Sequence, residues 1–186
     1  MPWRQNFSVG SKTFSVNLIK SGLICAVLFF LVLTGVSLLF PSHQRVSRAI
    51  NIAAPAGKTH AVLDDLRSWD DWNGFIRGTP LTRRSFSIPA SGKGAVLRSD
   101  QLNITITAST PDSVLIDWDQ VGGRRFTGGF NLMQLGADSL TVQWWFDFRF
   151  RWYPWEKFGS LVYDQKLGPV MEESLAGLKR FLENAK

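Results

Sequence analysis

Residues 139–152 read SLTVQWWFDFRFRW, and in the second half of this stretch aromatic and charged side chains alternate. The aromatic set is Phe146, Phe148, Phe150 and Trp152, and the charged residues between them are Asp147, Arg149 and Arg151. Because successive side chains of a strand point to opposite faces of its sheet, this pattern predicts a strand with one aromatic face. That face needs a cover of apolar side chains, or it encloses a ligand.

The C-terminal residues supply such a cover. Apolar residues recur at helical spacing, at Leu167, Val170, Met171, Leu175, Leu178, Phe181 and Leu182. This spacing predicts a long amphipathic helix. Gly168-Pro169 is expected to kink the helix, or to separate it from a shorter turn over residues 156–163.

Upstream of residue 139 the pattern predicts one strand, two short helices and then further strands. Residues 45–53 alternate as a strand, 55–67 and 69–75 have helical spacing, and short β segments with turns fill the chain from residue 80. Gly128-Gly129 is expected to form a β-bulge. The fold class is therefore α+β, with about seven antiparallel strands curved around the C-terminal helix.

This layout resembles the helix-grip fold of the SRPBCC superfamily, which includes START, polyketide cyclase/dehydrase and plant-allergen proteins. The resemblance covers residues 44–184 and rests on Ala54-Pro55, Leu66-x-x-Trp69-x-x-Trp72, residues 153–158 (YPWEKF) and Leu167-Gly168-Pro169. It implies a cavity between the helix and the sheet that binds lipids or other hydrophobic molecules. Some members catalyse cyclisation or dehydration, but no catalytic residue of theirs can be transferred to this chain.

Residues 21–40 (SGLICAVLFFLVLTGVSLLF) carry no charge. As a helix they span about 30 Å, the thickness of a bilayer core. A cleaved signal peptide is the alternative, although no small-x-small cleavage site follows. Three Lys or Arg residues flank each side, so the positive-inside rule gives no direction, and the short N-terminal tail of residues 1–20 favours N-in. Bacterial members of the superfamily that have one N-terminal membrane helix are similar in overall plan. This resemblance, together with the N-in orientation, predicts a single pass through the inner membrane, with the domain outside the cytoplasm.

Composition and charge exclude several functional classes. The chain of 186 residues is 45% hydrophobic with a net charge of +6, so it is not a disordered segment. Acidic and basic residues balance from residue 64 onward, which argues against nucleic acid as a partner. The single cysteine, Cys25, and the two histidines form no metal-binding pattern, no phosphate loop is present, and no cofactor is predicted.

The candidate cavity residues are the sheet stripe and three tryptophans on other elements, namely Trp69, Trp72, Trp118, Phe146, Phe148, Phe150 and Trp152. Plain core packing is the alternative for the whole set. Trp144 shares the parity of the stripe, whereas Trp145 has the opposite parity and is expected to be exposed or to lie at a membrane-facing edge.

Three hypotheses for function remain open. The first is a membrane-anchored domain that binds a hydrophobic small molecule or lipid. The second is a cyclase, dehydrase or hydrolase in the same cavity, for which Asp117, Asp147, Arg149 and Tyr153 are the polar candidates; His60 has no nucleophile motif beside it. The third is a protein-interaction module with a filled core.

Overall fold

The computed structural model describes residues 11–39, 42–79, 81–150 and 153–184. The helices are α1 Ser11–Leu38, α2 Ala56–Asp64, α3 Trp69–Trp72, α4 Gly74–Gly78 and α5 Pro154–Asn184. The strands are β1 His43–Ile52, β2 Ser85–Phe86, β3 Val96–Arg98, β4 Leu102–Thr110, β5 Ser113–Gln120, β6 Arg125–Gly136 and β7 Ser139–Arg149.

The strands form one antiparallel sheet in the order β1-β7-β6-β5-β4-β3-β2. Successive strands from β2 to β7 are neighbours, which short turns allow. The first strand then pairs with the last, Val46 facing Phe146. The α+β prediction, with about seven strands and short helices after the first, is confirmed.

Helix α5 covers the inner face of the sheet. Met171, Leu175, Leu178 and Leu182 of this helix are buried together with the apolar side chains of the sheet. The helix runs through Pro169, so of the two alternatives for Gly168-Pro169 the separate turn over residues 156–163 is wrong.

A side chain of β1 ties the two halves of α5 together. Arg48 bonds to Asp164, before the proline, and to Glu172, after it, with N–O distances of 3.0 and 2.7 Å. The Arg48 guanidinium occupies the space that a Cβ at Gly168 would take, 2.2 Å from Nη2. A residue without a side chain therefore lets the arginine reach both carboxylates.

The second short helix is divided in two at Asn73. The Asn73 side chain accepts hydrogen bonds from the backbone N–H groups of Phe75 and Ile76, so it caps α4. Trp69 and Trp72 of α3 are fully buried beneath this break.

The predicted bulge at Gly128-Gly129 is wrong, because the pairing of β6 with β5 and β7 runs through both glycines without a shift. The register shifts lie instead at Ile106/Ala108 and Gln134/Gly136. The glycines make room for neighbours. A Cβ at Gly128 would lie 2.6 Å from Cδ1 of Phe146, and one at Gly129 would lie 2.5 Å from the Val114 carbonyl oxygen.

The expectation that Trp145 is exposed is also wrong. Its side chain lies on the outer face of the sheet but is only 7% exposed. The Arg45 guanidinium sits 4.5 Å from the centre of its ring, in cation–π geometry. Gly129 beside it leaves space for the indole.

One helix of the described chain is long and apolar enough to cross a membrane, over Leu18–Leu38, and a signal sequence passes the same test. Most of its apolar side chains do not pack into the domain, and Phe29 is 66% exposed and Leu31 58%; near its C-terminal end, where Ser37 is buried, the helix contacts α5.

Candidate functional site

The inner face of the sheet carries a continuous layer of aromatic rings. Trp118 lies at its centre, 5.2 Å from Phe146 and 5.7 Å from Trp69 between ring centroids. Phe130 stacks on Trp144 at 5.2 Å. These spacings are those of favourable edge-to-face and offset aromatic pairs. All five rings are fully buried, so this part of the interior is filled by side chains.

Beyond Phe146 the aromatic layer opens into a cavity of about 200 Å³. It lies at the end of the sheet where β4 and β6 begin and β5 and β7 end, beneath the first half of α5. The lining residues are Phe75, Thr79, Gln101, Leu102, Gln120, Phe126, Phe148, Tyr163 and Leu167. The Phe126 and Phe148 rings lie 5.0 Å apart on the sheet side, and Tyr163 lies 4.7 Å from Phe148 on the helix side.

The predicted cavity residues take different positions in this arrangement. Phe148 lines the cavity. Phe150 lies 5.5 Å from the Tyr163 ring, next to the cavity wall. The four rings of Trp69, Trp72, Trp118 and Phe146 are fully buried in the filled layer behind it, and Trp152 lies outside the described residues.

Several lining residues were missed by the sequence reasoning. Phe126 shares the strand parity of Phe130, which the alternation of β6 could have revealed. Tyr163 and Leu167 are spaced i, i+4 and continue the apolar face of α5 toward its N-terminus, a pattern that Gly168-Pro169 obscured. Phe75 comes from α4, and no local pattern places it opposite β7.

The polar groups of the described lining are hydroxyls and amides, from Thr79, Gln101, Gln120 and Tyr163. Gln44 adds a further amide on the inner face, since it pairs with Phe148 and its Oε1 is buried without a hydrogen-bond partner in the described chain. These groups can orient a ligand by hydrogen bonds.

The four polar candidates for catalysis lie elsewhere. Asp117, Asp147 and Arg149 have the parity of the outer face, opposite to Trp118 and Phe148, and Tyr153 is half-buried just before α5. Arg45 donates two hydrogen bonds to the Asp147 carboxylate, at 2.7 and 2.6 Å. These bonds hold the pKa of Asp147 below its ordinary value, as expected when a cation binds the charged form.

His60 of α2 contacts Ser109 of β4, with 3.1 Å between Nε2 and Oγ. One carboxylate oxygen of Asp64, one turn further along α2, is buried without a hydrogen-bond partner in the described chain. Neither His60 nor Ser109 lines the apolar cavity, so this pair is separate from the candidate ligand site. Among the described residues no group of three or more His, Cys, Asp or Glu could hold a metal ion.

A larger hollow, of about 510 Å³, lies against α3, α4 and the C-terminal end of α5. It is an open groove lined by charged and polar groups, including Asp71, Arg77, Arg180 and Asn184. Apolar ligands bind in enclosed apolar pockets, so the smaller cavity beneath α5 is the better candidate.

The sequence and the fold are both similar to those of known proteins. A family model described as "Polyketide cyclase / dehydrase and lipid transport" matches residues 43–183. Curated proteins give no match. Among solved structures, a START superfamily protein from Mycobacterium smegmatis is 16% identical, with a TM-score of 0.56 over 76% of this chain and 99% of that one.

Two further structures have the same fold. A norcoclaurine synthase from Thalictrum flavum is 10% identical, with a TM-score of 0.53 over 77% of this chain and 96% of its own. DynU16, from the dynemicin biosynthetic locus, is 23% identical, with a TM-score of 0.52 over 76% of this chain. The present chain covers only 48% of DynU16. At these identities the similarity establishes the helix-grip fold.

Proposed function

The chain belongs to the polyketide cyclase/dehydrase and lipid transport family, and from that membership we propose that it binds a hydrophobic small molecule or lipid between the sheet and α5. The observation that carries the proposal is the cavity of about 200 Å³, whose lining is mostly aromatic and aliphatic. Burial of apolar ligand surface there contributes about 25 cal/mol per Å².

The open volume supports ligand binding over a filled core that serves a protein partner. The polar groups of the lining support binding over catalysis. General acid–base chemistry draws on groups such as His, Asp, Glu, Lys or Tyr, and Tyr163 is the one titratable side chain in the described lining. A cyclase or dehydrase reaction in this cavity would have to rely on that phenol.

We further propose that residues 21–40 anchor the chain in the bacterial inner membrane, with the domain of residues 44–184 on the non-cytoplasmic side. The length and exposure of Leu18–Leu38 support a membrane span. Tethering would raise the effective concentration of the cavity at the bilayer, where a sparingly soluble ligand accumulates. The intact mass of the protein purified from membranes tests the anchor, because cleavage of a signal peptide would remove the apolar segment.

The test of ligand binding is native mass spectrometry of the full chain, purified in mild detergent and followed by organic extraction. We expect one apolar compound at near-stoichiometric amount. Phe148→Asp should abolish its retention, because a carboxylate would then face the apolar lining. Phe86→Asp is the matched control, since Phe86 is half-buried on β2 and does not line the cavity.

Circular dichroism should confirm that both variants are folded. Retention of the compound by folded Phe148→Asp, or a wild-type protein without any extractable compound and without stabilisation by added lipids, would refute the proposal.

A further inference from the structure

The end of the domain that holds the cavity is also the end nearest to α1. Only residues 39–42 separate α1 from β1, which begins at His43, and four residues span at most about 14 Å. His43 pairs with Arg149, the last residue of β7, so β1 begins where the cavity lies. Near its C-terminal end, where Ser37 is buried, α1 also contacts α5. If α1 crosses a membrane, this end of the domain lies close to the bilayer surface.

Three connections of the chain meet at this end, namely residues 81–84 before β2, the β3–β4 turn at 99–101 and the β5–β6 turn at 121–124. The backbone N–H of Thr82 donates a hydrogen bond to the Asp100 carboxylate at 2.9 Å. The backbone N–H of Val121 donates one to the carbonyl of Gln101, also at 2.9 Å. These bonds join the three connections into one surface, the rim of the cavity.

The cavity reaches the protein surface at this rim. Gln101 in the β3–β4 turn and Gln120 at the end of β5 both line the cavity and are exposed. Val121, the next residue, is 54% exposed, so an apolar side chain stands beside the opening. A bilayer in contact with the rim would remove this side chain from water, which is favourable.

The rim carries more basic than acidic side chains. Asp100 is its one acidic residue, and its basic residues are Arg83, Arg84 and Arg124. The hairpin turns at the opposite end of the sheet have the reverse charge. The β4–β5 turn contains Asp112 and the β6–β7 turn contains Asp138, and neither turn has a basic residue. An anionic surface is therefore complementary to the rim and not to the opposite hairpin turns.

Two further arginines stand at strand ends beside the rim, Arg98 at the end of β3 and Arg149 at the end of β7. Both are exposed, and neither forms an ion pair within the part of the chain that the structure describes. Arg84 and Arg124, by contrast, bind carboxylates of the domain. Arg98 and Arg149 are therefore the guanidinium groups that an anionic surface would meet unpaired.

We infer that the rim docks on the bilayer that α1 crosses, and that its partner is a membrane surface containing anionic lipids. This inference rests on the proposed function, in particular on the membrane anchor. Val121 enters the head-group layer, and Arg98 and Arg149 bind lipid head groups through charge-assisted hydrogen bonds. The opening of the cavity then faces the bilayer, so an apolar ligand passes between the two without crossing bulk water.

The test places a fluorescent probe at either end of the sheet in the full chain. Cys25 is replaced by serine, and Val121→Cys or the matched control Ala137→Cys supplies the one thiol that carries the environment-sensitive dye NBD. Ala137 is exposed in the β6–β7 turn, about 35 Å away along the 11 residues of β7. Each protein is placed in nanodiscs of phosphatidylcholine and phosphatidylserine, with and without a nitroxide on the lipid head groups that quenches nearby probes.

We expect the nitroxide lipid to quench the probe at position 121 and not the probe at position 137. The quenching should decrease without phosphatidylserine, and also as salt screens the charges. Arg98→Gln and Arg149→Gln should each lower the ratio of docked to undocked domain about fivefold, the contribution of one basic residue at an anionic membrane. Arg180→Gln removes the same charge from an exposed position near the C-terminal end of α5 and should leave the ratio unchanged.

The outcomes separate docking from anchoring. Equal quenching at both positions, or at neither, in protein that stays with the nanodiscs would overturn docking while the anchor stands. Quenching at position 121 that does not depend on phosphatidylserine or on the two arginines would overturn the anionic partner. A probe there that is shielded from water but not quenched would indicate a protein at the rim and overturn the bilayer assignment. A full chain that does not associate with nanodiscs would refute the anchor together with this inference.

Discussion

Filling the cavity should stabilise the protein and weaken ligand binding at the same time. Leu167 is half-buried on α5 and lines the cavity, so Leu167→Trp directs a larger apolar side chain into it. If the indole occupies half of the about 200 Å³, the free energy of unfolding rises by about 2 kcal/mol, at about 24 cal/mol per Å³ of cavity removed. For a protein of this size the melting temperature then rises by about 4–8 °C.

The variant should gain stability but lose ligand affinity. This combination is informative, because a misfolded protein would lose both stability and binding. The assays are thermal unfolding of the full chain in detergent and titration with octanol, a small apolar probe, where we expect about a tenfold loss of affinity, equal to about 1.4 kcal/mol. Leu135→Trp is the control, since Leu135 is 63% exposed and the same change there should alter stability by no more than about 0.5 kcal/mol.

Two results would refute the reasoning behind Leu167→Trp. A lower melting temperature would show that the interior beneath α5 has no open volume for the indole. A higher melting temperature with unchanged octanol affinity would show that the ligand binds somewhere other than the cavity.

Two further predictions concern the scaffold. Gly177→Ala should lower the free energy of unfolding by about 1–3 kcal/mol, although alanine favours helices, because its Cβ would lie 2.4 Å from the Trp72 carbonyl oxygen. Gly57→Ala is the control, since no atom lies within 4 Å of its Cβ, and it should be neutral or stabilising in the same urea titration. Equal stability of the two variants would contradict this prediction. Arg45 lowers the pKa of Asp147, so the ion pair stabilises the fold at neutral pH and this contribution is lost as the pH falls through the lowered pKa. The stability difference between wild type and Asp147→Asn, from urea unfolding, should therefore shrink in acid, whereas a difference independent of pH would show that the carboxylate charge does not matter.

Short-range pattern was enough to predict the fold class. The alternation at Phe146, Phe148 and Phe150 and the apolar spacing of the C-terminal helix each depend on neighbours within a few residues, and local geometry imposes those periods. The apolar run at residues 21–40 is equally local, because length and the absence of charge define it.

Glycine signals were misread for a physical reason. A glycine within a strand indicates either a bulge or a close approach by another group, and the sequence does not distinguish the two. At Gly128 the deciding neighbour is the Phe146 ring, which lies on another strand. Trp145 was likewise predicted exposed by parity, whereas Arg45, a hundred positions away in the chain, covers its ring.

The position of the cavity was decided by tertiary structure alone. The sequence identified an aromatic face and a covering helix, and it offered the aromatic stripe of residues 146–152 and three tryptophans on other elements as candidates for the lining. Which rings meet and which leave space depends on the register that brings Phe126 of β6, Phe148 of β7 and Tyr163 of α5 together. Composition and periodicity determine that a residue is buried; the open volume depends on how side chains from distant segments pack against one another, and no local pattern contains that information.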